Sequence, residues 1–275
     1  MIPMANILEW RATHPWQTLS QVEQDLLLSR CMVALFSRAD IAQWLAMRGG
    51  TILHKLHCAP PRRYSEDLDL VQIQAGPIGP IFDAVKETLS PLLGKPKRDM
   101  GPGVATLTYS VPSESGPPPA LRIKVEINTR EHFTVDPYDR MDFTVTSRWF
   151  AGSCRITTYS LNELLGTKMR ALFQRRKGRD LYDLWLGLQQ QAAAPRRIAE
   201  IFEAYMKATA TPVSRQEYLD NLTAKIAHPG FLSDLPPLLA EGAGAYDPQI
   251  AYDDVRDRLV ARMGAGRERG AQPAK

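Results

Sequence analysis

The residues with the clearest chemical potential lie between positions 49 and 69. Asp67 and Asp69 stand two apart in Ser65-Glu66-Asp67-Leu68-Asp69-Leu70. On a strand, period two sends both carboxylates to one face and Leu68 and Leu70 to the other. Two carboxylates a few ångströms apart repel each other unless a cation lies between them. Mg²⁺ is the expected ion, with Mn²⁺ as its alternative, because hard cations bridge carboxylates to substrate phosphates. Gly49-Gly50-Thr51 supplies the complement. Two glycines let the backbone turn sharply against a phosphate, and amides opening a following helix point at the anion. Thr51 adds a hydroxyl donor. A third carboxylate, Glu126, sits in the alternating stretch Lys124-Val125-Glu126-Ile127-Asn128 and shares a face with Lys124 and Asn128. Three carboxylates on neighbouring strands would hold two metals, one activating an attacking hydroxyl and one steadying a triphosphate leaving group. The chemistry indicated is transfer of a nucleotidyl group from an NTP.

A second group lies in ELLGTKMRALFQRRKGRDLYDLW. Lys168 is flanked by Leu164, Leu165, Leu172 and Phe173. A lysine there could neutralise triphosphate charge in the transition state. Spacing alone favours a lysine that lays its stem along an amphipathic helix. Asp180, just after Gly178, reads on its own as a first-turn acid stabilised by the helix dipole. Basic residues accompany both groups: Arg62 and Arg63 before the aspartates, and Arg175, Arg176 and Lys177 in the second stretch. They would grip the phosphates of an RNA acceptor, or form a solvated basic face. Tyr64, Tyr182 and Trp185 are candidates for stacking a base, although Trp185 has core spacing. His54, His57 and Cys58 cluster but fall short of the four ligands of a structural zinc site.

These groups need elements to position them. Residues 18–36 read as a helix capped by Thr18 or Ser20. QWLAM, residues 43–47, reads as a short buried strand. The Gly-Gly turn opens a helix from Thr51, and LDLVQI, residues 68–73, is a strand. A helix is expected over 79–93. GVATLTYSV and LRIKVEIN alternate and should pair as a hairpin across the Pro-rich SESGPPPA. Ser160 and Glu163 have capping-box spacing, and a helix should run from there to about Arg176. Gly178 breaks it and RDLYDLWLGLQQ starts another. Residues 195–208, 213–227 and 249–262 also read as helices. The expected class is α+β, with domains at 1–155 and 156–263 and a disordered tail at 264–275.

The bulk numbers set bounds. With 275 residues, 44% apolar and 23% charged, the chain has ordinary globular composition. A net charge of +4 and a pI near 9.0 permit an RNA partner without demanding one, and give no support for DNA. Three widely spaced cysteines make no disulfide framework, and no apolar run is long enough to span a membrane, so a cytoplasmic location is expected. Walker A, Rossmann, HExxH and Gly-x-Ser-x-Gly patterns are lacking, which removes P-loop NTPases, dinucleotide enzymes, zincins and lipases.

Taken in order, GGTxLxKL, RxSEDLDL, KVEIN and ELLxxKxRALxQRRKGRDLYDLW resemble the AbiEii/AbiGii toxin family of nucleotidyltransferases, which includes the MenT toxins. The resemblance implies a polymerase-β-like nucleotidyltransferase domain, a mixed sheet with helices, followed by a helical C-terminal domain. It implies a bacterial toxin restrained by a cognate antitoxin, and an activity that adds nucleotides to an RNA acceptor, the tRNA 3′ end above all, and so blocks translation. By position, Gly49, Gly50 and Thr51 would cradle phosphate and Asp67 and Asp69 would hold metal. Lys168 would face the triphosphate, reversing the preference from spacing alone, and Asp180 would be the distal acid. Ser65 would lie by the nucleotide, where an antitoxin can phosphorylate some relatives. Two alternatives stay open: nucleotidyl transfer to a protein or small molecule, and a non-catalytic protein that binds a nucleotide or partner.

Overall fold

The computed structural model describes residues 1–116 and 121–264; the tail expected over 264–275 lies outside them except for Gly264. The chain divides into two compact units. The first is Met1–Tyr159 together with Leu238–Ala243; the second is Ser160–Pro237 with the residues from Gly244 onward.

The first unit is a mixed sheet backed by helices. α1 (Met4–Arg11) leads to α2 (Leu19–Phe36), α3 (Ala39–Trp44), β1 (Leu45–Arg48) and α4 (Gly49–Ile52), which continues into a π-helical turn, Leu53–His57. Then follow β2 (Asp67–Gln72), α5 (Ile78–Leu93), β3 (Lys97–Gly101), β4 (Val104–Val111), β5 (Leu121–Asn128), β6 (Asp139–Thr146) and β7 (Ala151–Thr158). The strands lie in the order β3-β4-β5-β2-β1-β7-β6. β2 runs parallel to β5, β1 runs parallel to β7, and the remaining neighbours are antiparallel. α2 and α5 pack on the sheet, over an apolar face that buries Leu68, Leu70, Leu107, Tyr109, Ile123, Val125 and Ile127.

Local chemistry explains the element ends. Thr18 caps α2 with a full capping box, Gln21 returning the bond to the Thr18 amide. The strand expected over 43–47 begins later, because Gln43 and Trp44 finish α3. A short apolar run does not distinguish the end of a buried helix from a strand. The helix expected from Thr51 starts two residues earlier, at Gly49 itself. The β4–β5 hairpin forms, pairing Val104 with Asn128 through Val111 with Leu121. Its connection is tied down by buried Glu23 of α2, which accepts bonds from the Ser113 and Ser115 hydroxyls, both at 2.7 Å.

The second unit is helical: α6 (Leu161–Gln174), α7 (Gly178–Leu188), α8 (Pro195–Ala208), α9 (Arg215–Ile226), α10 (Pro229–Leu232) and α11 (Pro248–Arg258). Ser160 caps α6 by accepting from the Glu163 amide at 3.1 Å. The Glu163 carboxylate is buried and takes the Tyr205 hydroxyl at 2.7 Å, tying α6 to α8. Gly178 is the first residue of α7 as well as the break before it. A side chain there would strike the Phe231 carbonyl, so the close approach of α10 needs glycine. No helix among the described residues is long and apolar enough to cross a membrane.

Candidate functional site

Asp67 and Asp69 open β2, half-buried, while Leu68 between them is fully buried in the core. Asp67 lies opposite Lys124 of β5; Asp69 lies opposite Glu126 on one side and Arg48 of β1 on the other. Arg48 pairs with Glu131 at 2.5 Å. Burial first, and then the charge of Asp69, push the Asp67 carboxyl up to about 6. Between its unfolded pKa near 3.8 and about 6 the folded protein therefore binds the extra proton, so the pair's contribution to stability falls as pH rises. Asp67→Asn should gain on the wild type between pH 4.5 and 7 by on the order of 2 kcal/mol in urea unfolding without divalent metal. A pH-independent difference would show that the two carboxylates do not burden each other.

The glycine turn meets this pair directly. Gly49 has φ +85°, and a Cβ on it would overlap the Asp69 carboxylate. Gly50 is closed on its other side, since a Cβ there would come 2.5 Å from Arg63 Nη2 and 3.0 Å from Ser65 Oγ. The Thr51 hydroxyl donates to the Asp67 carbonyl at 2.6 Å and stands 3.0 Å from the Ser65 hydroxyl. Gly49, Gly50, Thr51, Ser65, Asp67 and Asp69 are thus one assembly. Gly49→Ala combines a left-handed backbone with a clash, and should lower unfolding free energy by about 1–3 kcal/mol and abolish nucleotide binding. Titration of the folded variant with a non-hydrolysable NTP checks this; wild-type affinity would remove the turn from the site.

Beneath the turn, Lys55 is held at 2.7 Å by buried Asp25 of α2, which also accepts from Trp10 Nε1 at 2.9 Å. Burial raises the Asp25 carboxyl, but Lys55 and His14 outweigh it and keep it below its usual range. This internal pair pins the π-helical turn to α2.

Glu126 of β5 stands opposite Asp69. Its carboxylate pairs with Lys124 at 2.5 Å. Among the described residues no group of three or more His, Cys, Asp or Glu side chains is placed to hold a metal ion. The two aspartates nevertheless suit Mg²⁺, which uses one or two protein carboxylates and completes its shell with water and substrate phosphates.

In the second unit, Lys168, Asp180 and Asp183 are brought together. The Lys168 ammonium lies 2.7 Å from Asp183 and 3.3 Å from Asp180. Both aspartates are fully buried and Lys168 is 6% exposed. Arg175 grips Asp180 with two bonds, at 2.7 and 2.8 Å. Burial raises the Asp180 carboxyl, but Lys168 and Arg175 hold it below the usual range. Lys225 closes the end of α6 by donating to the carbonyls of Leu172 and Phe173, and burial pushes its pKa down to about 8.

Over residues 30–258 the chain matches the profile of a family described as nucleotidyl transferase AbiEii toxin, type IV TA system. The chain belongs to the AbiEii family. As an AbiEii protein it is a nucleotidyltransferase toxin of a type IV toxin–antitoxin system, for which the family implies an antitoxin partner and an NTP substrate. The structure is similar to MenT4, a nucleotidyltransferase toxin from Mycobacterium tuberculosis H37Rv, with TM-score 0.68 and 15% identity over 98% of this chain and 93% of that one. It is also similar to a proposed nucleotidyltransferase from H. pylori, with TM-score 0.54 and 14% identity over 92% of this chain and 98% of that one. At such identities the likeness speaks for the fold. A search of curated proteins returned no match.

For this AbiEii toxin several sequence expectations change. Arg63, expected on a basic RNA-gripping face, is 3% exposed, donates to the Tyr64 carbonyl at 2.9 Å and packs against Gly50. Its guanidinium serves the interior of the turn, while Arg62 stays exposed and donates to the Ala243 carbonyl. Arg175, Arg176 and Lys177 are exposed, but Arg175 is committed to Asp180 and Lys177 pairs with Asp234 at 3.2 Å. Tyr64 is buried against Trp16, and Tyr182 against Trp185 and Tyr246, so neither tyrosine ring is open to a base. The three cysteines are free thiols.

Proposed function

We propose that this AbiEii toxin transfers a nucleoside monophosphate from an NTP to the 3′-hydroxyl of an RNA acceptor, the tRNA 3′ end first among them, and so blocks translation. The observation that carries the reading is the seating of the Asp69 carboxylate against the Cα of Gly49, where a side chain would clash. It supports the reading because the carboxylate pair stands beside the glycine turn, whose backbone amides would meet a phosphate. Asp67 and Asp69 hold Mg²⁺, which when bound offsets charge on the triphosphate and favours the ionised form of the attacking hydroxyl. The Gly49–Thr51 turn orients the phosphates. The 3′-oxygen forms a bond to the α-phosphorus, the bond to the β-phosphate bridging oxygen breaks, pyrophosphate leaves, and the hydroxyl proton is released to solvent. Rate enhancement comes from positioning and charge neutralisation. The test is incubation of the purified protein with each α-labelled NTP, Mg²⁺, total tRNA and lysate protein, followed by sequencing of tRNA 3′ ends. Extended 3′ ends are expected; label on protein with none on RNA would overturn the acceptor assignment.

A further inference from the structure

The sheet face that carries Asp67 and Asp69 continues beyond them. Asp67 lies opposite Lys124, Lys124 opposite Thr108, and Thr108 opposite Lys97. Directly opposed residues project to one face, so these four make a single row. At about 4.8 Å per strand the row spans about 14 Å, from Asp67 to the sheet edge at β3. Beside it runs a second row, Asp69, Glu126, Thr106 and Asp99. On β5, two residues before Lys124, Arg122 stands exposed opposite exposed Ser110. The helices α2 and α5 contact β5 and β4, whose alternate residues Leu107, Tyr109, Ile123 and Val125 are buried, while Thr108, Arg122 and Lys124 alternate out of that core. Every residue of β3 is exposed.

We propose that this strip, Lys124, Arg122 and Lys97 with the hydroxyls of Thr108 and Ser110, is the track on which the single-stranded 3′ segment of the RNA acceptor lies. The proposal rests on the nucleotidyl-transfer reading and adds the residues that seat the acceptor. Three features point to this occupant. The strip starts at Asp67, so a strand laid along it ends with its terminal hydroxyl beside the carboxylate pair. Its groups are cations and hydroxyls, the partners of phosphate and ribose oxygens. The acids Asp99 and Glu126 line the neighbouring row, so a polyanion is confined to one side and given a direction. Neither row holds an aromatic ring, so recognition runs through the backbone with little base preference, since base stacking needs aromatic platforms.

The test uses the full chain carrying Lys97→Ala and Arg122→Ala, neither of which belongs to the carboxylate pair or the glycine turn. Binding of a fluorescent RNA hairpin with a single-stranded 3′ overhang is titrated over a range of KCl, beside a blunt hairpin. A single strand loses a slope of about 0.7 in log K against log salt for each cation removed, so the double variant should lose about 1.4. The KM for the overhang RNA should rise at least tenfold, with kcat at saturating RNA and NTP affinity unchanged. An unchanged slope and KM would overturn the track, as would a fall in kcat without a change in KM, or equal weakening of the blunt hairpin. A wild-type protein that labels no RNA would bring down the RNA-acceptor reading itself, whereas labelling of RNA by both proteins with identical KM removes only the track.

Discussion

Asp69→Asn should cut nucleotidyl transfer by about 10³-fold or more while leaving the fold intact or slightly firmer at neutral pH. Asparagine keeps the shape of the side chain seated against Gly49, so the turn is not disturbed. What changes is charge. The cation loses one of two anionic ligands, and the electrostatic stabilisation of the leaving pyrophosphate goes with it. In the protein without metal the same substitution relieves repulsion, since Asp69 is part of what pushes the Asp67 carboxyl up to about 6. Its pKa should move back toward the usual carboxylate range, and thermal unfolding without divalent metal should show no loss of stability above pH 6. The signature is thus a divergence, activity collapsing while stability holds or rises, which misfolding cannot imitate. Transfer rates with saturating Mg²⁺ and NTP, beside melting curves in EDTA, measure both arms. Should the variant still arrest growth when expressed, the toxin would act by binding rather than by chemistry.

The legible parts of this fold are those set by local pattern. Asp67 and Asp69 could be placed on one face from period two alone, and the cap of α2 was narrowed to Thr18 or Ser20, of which the structure uses Thr18. The β4–β5 hairpin was readable because both strands alternate over eight residues. β6 and β7 went unread although Phe143 and Val145 alternate with threonines, because β7 bears alanine, serine and arginine on its exposed positions and carries a weak apolar signal. Side-chain pairing partners were not readable at all. Lys124 and Glu126 do share a face, yet their mutual ion pair depends on rotamers. Arg63 looked like half of an exposed basic pair with Arg62, but one neighbour is exposed and the other lies buried against Gly50. Nothing in a local window distinguishes adjacent arginines of opposite burial. Asp183 stands three residues from Asp180 in the same stretch, but its role is not legible there, because a second buried acid becomes necessary only once Lys168 is known to be buried.

That second acid leads to the other large effect. Lys168→Met should destabilise the helical unit by about 3–5 kcal/mol, the usual cost of removing one member of a buried ion pair. Methionine keeps the stem's volume, so the loss is electrostatic: Asp183 is deprived of the ammonium 2.7 Å away, and Asp180 keeps only the Arg175 fork. Adding Asp183→Leu to Lys168→Met removes the stranded charge, and at least half of the lost stability should return, because apolar replacements of a buried pair are often neutral or better. The pair of variants also separates two roles for Lys168. An ammonium bound by two buried carboxylates must give up those contacts to reach a triphosphate, so a purely architectural lysine predicts that the rescued double variant regains nucleotidyl transfer along with stability. A lysine that touches the triphosphate predicts a folded, stable and inactive protein. Urea unfolding with transfer assays on both variants decides the matter, and single-variant stability equal to wild type would show that the ion network does not hold α6 to α7.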